Sequence, residues 1–122
     1  MKFQVTIVGH GAEALEFLND SDNSFFILFN ENAPEELAEI SVLHTISAVY
    51  KEPAPGDTMK IGDKEFKITA VGVEAPYTLR ELGHCTVNFG GGAEAALPGC
   101  IMLEGSALLP EDLKAGGTIE IR

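Results

Sequence analysis

The sequence has few basic residues, few cysteines and no tryptophan. Its 8 lysines and arginines are outnumbered by 19 aspartates and glutamates, so the formal net charge is −11 at pH 7. A surface with such an excess of carboxylates repels nucleic-acid phosphates and anionic lipid headgroups. We therefore expect no nucleic-acid partner and no attraction to a membrane surface.

The cysteine content and the apolar runs bear on the compartment. Cys85 and Cys100 are too few for a disulfide scaffold in a chain of 122 residues, and we expect both thiols to be reduced. No apolar run approaches the roughly 18 residues that indicate a membrane span, and the first residues lack the apolar region of a secretory signal. We expect a cytoplasmic protein without direct membrane insertion.

Length and composition predict one domain. The chain has 122 residues, of which 45% are hydrophobic and 22% charged, and this is the size and composition of one globular unit. Neither a repeat nor a low-complexity linker divides it. We therefore predict a single domain over residues 1–122.

Apolar residues with a period of two, which indicate strands, dominate the sequence. Residues 3–8 alternate, residues 25–29 form a continuous apolar run, and residues 40–50 are rich in β-branched side chains. Gly62-Asp63 between two strand-like segments predicts a two-residue hairpin. Further strands are predicted at residues 66–70, 86–89, 100–103 and 118–121.

Helical signals are short. Asn32 is predicted as the N-cap of a helical turn that contains Pro34, and residues 76–82 are predicted to form a helix that ends at Gly83. Three other segments have weaker signals: a short helix or bent strand at residues 12–18, a polar turn at 19–24, and one helical turn at 110–114.

These signals add up to about seven or eight short strands with little helix. Turns recur at regular spacing between the strands, a pattern typical of β-barrels and two-sheet sandwiches. We predict a small closed or nearly closed β-barrel, or alternatively a two-sheet sandwich, with one or two short helical turns.

Among the three histidines, His44 has the most unusual context. On a strand it would share a face with Val42 and Ile46, and that face is otherwise almost wholly apolar. Such a histidine is either structural, with its ring nitrogens bonded to backbone carbonyls, or a partly desolvated nucleophile that its surroundings keep neutral. The residues alone leave both roles open.

The other two histidines have weaker contexts. His84 follows Gly83 and alternates with Thr86, so it is either a solvated strand residue or part of a polar pocket wall that receives an anion or orients another histidine. His10 lies between two glycines without the spaced glycines and the lysine of a phosphate-binding loop, and we interpret it as an exposed turn residue.

Common catalytic and metal-binding motifs are missing. The sequence contains no CxxC, no HExxH and no GxSxG. A metal site would require His10, His44 and His84 to converge from distant positions. We expect neither a metal nor a cofactor.

Three segments resemble one family. They are TAVGVEAPYTLRELGHCTVNF at residues 69–89, NAPEELAEISVLH at 32–44, and PGDTMKIGDKEFKITAVG at 55–72. Together they resemble the glucitol/sorbitol-specific IIA components of the bacterial sugar phosphotransferase system, and the likeness extends over nearly the whole chain.

The resemblance implies a phosphotransferase that carries a phosphoryl group on a histidine. The family's phosphorylated histidine falls on His44, and His84 receives at most a supporting role. HPr would donate the phosphoryl group, and the IIB component of a membrane permease with its IIC component would receive it for hexitol uptake, without a metal. The alternative is a non-enzymatic β-barrel that regulates or scaffolds a partner and whose histidines are structural.

Overall fold

The computed structural model describes residues 1–19, 23–105 and 108–122, and these ranges contain eight strands that close into a barrel. Two α-helices, α1 (Glu35–Ala38) and α2 (Ala75–Leu82), and two short 3-10 turns accompany the barrel. The strands are β1 (Phe3–His10), β2 (Phe25–Asn30), β3 (Val42–His44), β4 (Thr58–Ile61), β5 (Lys64–Val71), β6 (Cys85–Asn88), β7 (Cys100–Glu104) and β8 (Thr118–Ile121).

The strand order around the barrel is β1-β3-β2-β6-β7-β5-β4-β8, and β8 pairs with β1 to close it. Two neighbouring pairs are parallel, β2 with β3 and β6 with β7, and the other neighbours are antiparallel. Closure pairs the backbone groups that an open sheet would leave at its edges. This confirms the predicted barrel and excludes the two-sheet sandwich.

The barrel interior follows from the alternation in the sequence. In β1 the side chains of Phe3, Val5 and Ile7 are buried, whereas the residues between them are exposed. β5 repeats this pattern with Phe66 and Ile68. Most apolar strand positions turn inward and form the core that fills the barrel. Ala70, Cys100 and Met102 of β5 and β7 form a second, smaller buried cluster.

Helix α2 begins and ends as its sequence predicts. Pro76 lies in the first turn, where its missing N–H leaves no intrahelical bond unmade. Gly83 ends the helix in the left-handed conformation at φ 64°, and its N–H donates to the Leu79 carbonyl. The buried side chains of Ala75 and Leu79 attach the helix to the barrel. No helix within the described ranges is long and apolar enough to cross a membrane.

Two local predictions are wrong. The strand predicted over residues 40–50 is reduced to β3, Val42–His44, and Ile46 beyond it is 60% exposed. The ladder ends because the Thr45 hydroxyl, not its carbonyl, accepts the Thr6 N–H at 3.0 Å. Asn32 is not the N-cap of α1, because Pro34 takes that position without a side-chain cap.

The remaining local predictions concern turns. The Gly62-Asp63 hairpin is confirmed between β4 and β5, with Gly62 at φ 59°. Of the two structures considered for residues 12–18, neither forms throughout: a turn leads into a 3-10 turn at Glu16–Asn19. Residues 110–114 form the predicted helical turn as a 3-10 turn, Pro110–Leu113. Half of the polar turn predicted at 19–24, residues 20–22, lies outside the described residues.

Candidate functional site

His44 is the last residue of β3, and its side chain turns into the barrel. The residue is fully buried. In the neighbouring strands it pairs in register with Ile7 of β1 and with Asn30 of β2. The edge of its imidazole packs against the Phe3 ring, with 5.9 Å between ring centroids and an interplanar angle of 89°. The apolar core thus holds the imidazole in one orientation at one end of the barrel.

Both nitrogens of the His44 ring face backbone carbonyls. Nδ1 lies 2.8 Å from the Thr45 carbonyl oxygen, and Nε2 lies 2.8 Å from the Gly83 carbonyl oxygen. A neutral imidazole has one N–H and can donate to only one of these two oxygens. The structure therefore represents a closed arrangement in which neither nitrogen offers an accessible lone pair.

The two carbonyls belong to different segments of the chain. The Thr45 carbonyl belongs to the residue after His44, and the Thr45 N–H is fixed to the Thr6 carbonyl at 2.9 Å. The Gly83 carbonyl belongs to another segment, where helix α2 ends and β6 has not yet begun. Moving Thr45 would disturb its contacts with β1. Moving the Gly83 carbonyl would disturb the end of helix α2, because the His84 N–H of the same peptide unit donates to the Thr78 carbonyl at 3.1 Å. Nδ1 therefore faces a carbonyl beside the β1–β3 ladder, and Nε2 faces the carbonyl of a helix end.

Gly83 approaches the site so closely that no side chain fits there. A methyl group at this position would overlap Asn30 Oδ1 and would come within 2.7 Å of His44 Cε1. Asn30, the last residue of β2, is 9% exposed. His44, Asn30 and the Gly83 backbone thus form one layer across three neighbouring segments.

His84 does not join this layer. Its Nδ1 lies 3.2 Å from the Leu28 carbonyl oxygen, and its ring lies 4.9 Å from the ring of Phe29, centroid to centroid. The contact with His44 comes from the backbone of the preceding residue, Gly83.

His10 is exposed and its Nδ1 lies 3.0 Å from the carbonyl oxygen of Gly11. Within the part of the chain that the structure describes, no group of three or more histidine, cysteine, aspartate or glutamate side chains is arranged to hold a metal. The three histidines are thus not brought together as a metal site in these ranges.

The two cysteines are buried free thiols. Burial raises the pKa of the Cys85 thiol to about 12, with a smaller contribution from Cys100. Burial likewise raises the pKa of Cys100. Both groups therefore stay protonated near neutral pH, and a protonated thiol is a poor nucleophile.

A polar groove of about 360 Å³ lies beside the end of β3. Its lining includes Thr6, Thr45 and Ser47. Hydroxyl groups such as these can donate hydrogen bonds to an anion. The groove thus places potential anion donors on the Thr45 side of His44.

The residue pattern pointed to His44 but missed its closest neighbours. The strand predicted at residues 25–29 stops one residue short of Asn30, although continuing the alternation through Phe26 and Leu28 places Asn30 on the inward face. The sequence predicts Gly83 only as a helix end. Its contact with His44 depends on pairing between distant segments, which alternation alone does not specify.

Comparison with known proteins gives a consistent result. The family model described as "PTS system glucitol/sorbitol-specific IIA component" matches residues 2–120. The chain is 35% identical over 118 residues to the PTS glucitol/sorbitol-specific EIIA component of Escherichia coli (strain K12), a match that covers 97% of this chain and 92% of the relative. The corresponding component of Shigella flexneri matches with the same identity and coverage.

The fold has a solved counterpart. The crystal structure described as the PTS system IIA component from Enterococcus faecalis V583 superposes with a TM-score of 0.73 at 26% identity. The match covers 97% of this chain and 98% of that one. The similarity therefore extends over the whole barrel in both proteins.

Proposed function

The chain belongs to the family of glucitol/sorbitol-specific IIA components of the sugar phosphotransferase system, and we propose that His44 is its phosphoryl acceptor. In this proposal HPr donates the phosphoryl group to His44, and His44 passes it to the IIB component of a membrane permease with its IIC component. The permease then phosphorylates the incoming hexitol. The protein acts in the cytoplasm and needs no metal or other cofactor for the transfer.

The observation that carries the assignment is the arrangement around His44. A carrier histidine needs one ring nitrogen fixed by a hydrogen bond and the other directed to a place where an anion can be bound. The Thr45 carbonyl is positioned to fix Nδ1, and Nε2 points toward the end of helix α2. Neither His10 nor His84 combines burial with two such contacts.

The acceptor form is the neutral ring with its proton on Nδ1. In that form the Nε2 lone pair faces the Gly83 carbonyl oxygen at 2.8 Å, an unfavourable contact that the displacement of Gly83 relieves. Opening of this kind, at the junction of α2 with β6, exposes Nε2 to a docked donor.

The transfer itself needs positioning more than covalent chemistry. The Nε2 lone pair attacks the phosphorus of the donor's phosphohistidine and forms a new N–P bond. The donor's P–N bond breaks, and its electron pair returns to the donor ring. No proton has to be transferred if each ring keeps its proton on its other nitrogen. Transfer to the IIB component reverses these roles.

The test is intact-mass and peptide analysis after incubation with phosphoenolpyruvate, enzyme I and HPr. The wild type should gain one phosphate that is labile in acid and stable in base, and His44→Ala should gain none. His84→Ala is the matched control and should retain the phosphate. Unchanged labelling of His44→Ala would overturn the assignment, and loss of labelling only in His84→Ala would move the site.

A second candidate function has one observation in its favour. A fully buried histidine between two carbonyls is also what a purely structural histidine looks like. In that case the protein is a non-enzymatic barrel that regulates or scaffolds a partner. Failure of the wild type to take up phosphate from an HPr preparation that is active on a known acceptor would favour this alternative, as would partner capture that His44→Ala leaves unchanged.

A further inference from the structure

We propose that Asn30 is a positioning residue whose side-chain amide donates a hydrogen bond to a phosphoryl oxygen on His44. This inference rests on the proposed function, because it concerns how the phosphorylated imidazole is held. Asn30 lies on β2, and the proposed acceptor His44 lies on the neighbouring strand β3. Three features of Asn30 support it: its register, its unused amide and its accessibility.

The register brings the two side chains together. Asn30 and His44 are paired in the parallel ladder of β2 with β3, and both are turned into the barrel. Neighbouring residues of a parallel pair project to the same side of the sheet. Asn30 Oδ1 and His44 Cε1 both border the point where a Gly83 side chain would begin. The amide therefore lies beside the edge of the imidazole from which Nε2 projects.

The amide of Asn30 is not used by the fold. In the ranges 1–19, 23–105 and 108–122, Asn30 makes hydrogen bonds through its backbone carbonyl to Ala33, and its side chain makes none. Asn30 is only 9% exposed, but its amide atoms are not fully enclosed, because the one fully buried side-chain polar atom without a partner in the described residues is Ser41 Oγ. The amide is therefore unbonded within the protein and still within reach of solvent. An inward-facing amide without a protein partner is suited to a ligand that the unphosphorylated protein does not carry.

Asn88 provides an internal comparison. It is also a buried asparagine, 4% exposed, at the end of β6. Its Nδ2 donates to Asn23 Oδ1 at 2.9 Å, and its Oδ1 accepts the Gly90 N–H at 2.7 Å. Asn88 thus has the contacts expected of a structural asparagine, and Asn30 does not.

The chemistry of the amide suits the phosphoryl group. Its NH₂ group has two donors, and rotation about the terminal torsion exchanges the oxygen and nitrogen positions. A hydrogen bond to an anionic oxygen is stronger than one between neutral groups. Asn30 is also the more accessible residue, with 9% of its surface exposed while His44 has none. It can therefore contact a phosphoryl group that enters as Nε2 is uncovered.

The experiment compares the wild type with Asn30→Ala and with Asn88→Ala as the matched control. Each protein is phosphorylated through HPr and then separated from the donor, and the hydrolysis rate of its phosphohistidine is followed together with its ³¹P chemical shift. We expect Asn30→Ala to shift the ³¹P signal and to change the transfer equilibrium with HPr by about tenfold against the phosphorylated form. Asn88→Ala should lower thermal stability while leaving both phosphohistidine readouts unchanged.

A second measurement needs no variant. In the ¹⁵N spectrum of the wild type, the side-chain NH₂ signal of Asn30 should move on phosphorylation more than that of Asn88 does. An unmoved Asn30 signal, together with normal phosphohistidine readouts in Asn30→Ala, would overturn the inference and leave His44 as the carrier. Absence of phosphorylation in the wild type would instead overturn the proposed function, so the two failures are distinguishable.

Discussion

At the scale of single residues, the two roles considered for His44 differ in what must happen to its contacts. A structural histidine keeps both the Thr45 and the Gly83 carbonyl as neighbours, whereas a carrier has to release one of them to expose a lone pair. The Thr45 contact is local and tied to a paired strand, and the Gly83 contact joins residues 39 positions apart. The carrier role proposed for His44 therefore requires one of these two contacts to break.

A second residue-scale feature, the ion pair between Lys2 and Asp57, predicts how stability depends on pH. Lys2 Nζ lies 2.6 Å from Asp57 Oδ2, and both side chains are mostly buried. Burial alone would raise the pKa of Asp57, but hydrogen bonds from Lys2 and the Ala54 N–H outweigh it and lower the pKa below 3.8. The carboxylate thus stabilises the fold at neutral pH, and this contribution is lost as pH falls through the lowered pKa.

We therefore expect Asp57→Asn to reduce the free energy of unfolding by about 1 kcal/mol at neutral pH. The difference from wild type should begin to narrow below about pH 4, where the Asp57 carboxyl of the unfolded chain becomes protonated, and should vanish as the pH falls through the lowered pKa of the folded protein. Urea titrations followed by circular dichroism measure the unfolding free energies of both proteins at each pH. Asp63→Asn, at an exposed carboxylate in the β4–β5 turn, is the control and should have little effect. A difference that grew toward acidic pH would contradict the sign argued here.

At the scale of elements, the end of helix α2 controls the candidate site. Gly83 combines a left-handed conformation with close contact to Asn30 and His44. Gly56 provides a matched position, since it also has positive φ, at 96°, but nothing lies within 4 Å of an added methyl group. The two glycines therefore separate conformational strain from steric overlap.

Gly83→Ala should lower the free energy of unfolding by about 2–3 kcal/mol, and Gly56→Ala by about 1 kcal/mol. The extra loss comes from displacing Asn30 and the imidazole. Urea denaturation gives both values, and the imidazole signals of His44 in NMR spectra should shift only in Gly83→Ala. If both variants lost the same free energy of unfolding and the His44 imidazole signals stayed unchanged, Gly83 would not be in tight contact with Asn30 and His44 in solution.

Local signals in the sequence predict the turns and the helix end, because neighbouring residues determine their backbone conformation. The hairpin at Gly62-Asp63 and the helix end at Gly83 were predictable because each requires a particular backbone conformation. The early end of β3 was not, because it depends on the Thr45 hydroxyl meeting Thr6 of the neighbouring strand β1. Nor was the layer of Asn30, His44 and Gly83, which exists only once β2, β3 and β6 are neighbours.

At the scale of the whole molecule, the barrel has to hold together under strong self-repulsion. A formal charge of −11 is spread over a chain of 122 residues. In the described ranges, two ion pairs have both partners partly shielded from solvent. These pairs are Lys2–Asp57 and Lys64–Asp112. Most carboxylates face water, where they repel one another and destabilise the compact state.

Added salt should therefore stabilise this protein. Raising sodium chloride from about 20 mM to about 500 mM shortens the screening length from roughly 20 Å to roughly 4 Å, so repulsion between distant carboxylates weakens while contacts within partly buried ion pairs change little. We expect Tm to rise by several degrees in a thermal scan at pH 7, and the rise should shrink near the pI of about 4.5, where net charge vanishes. A fall in Tm with salt at pH 7 would mean that attractive ion pairs, not general repulsion, dominate the electrostatics of the barrel.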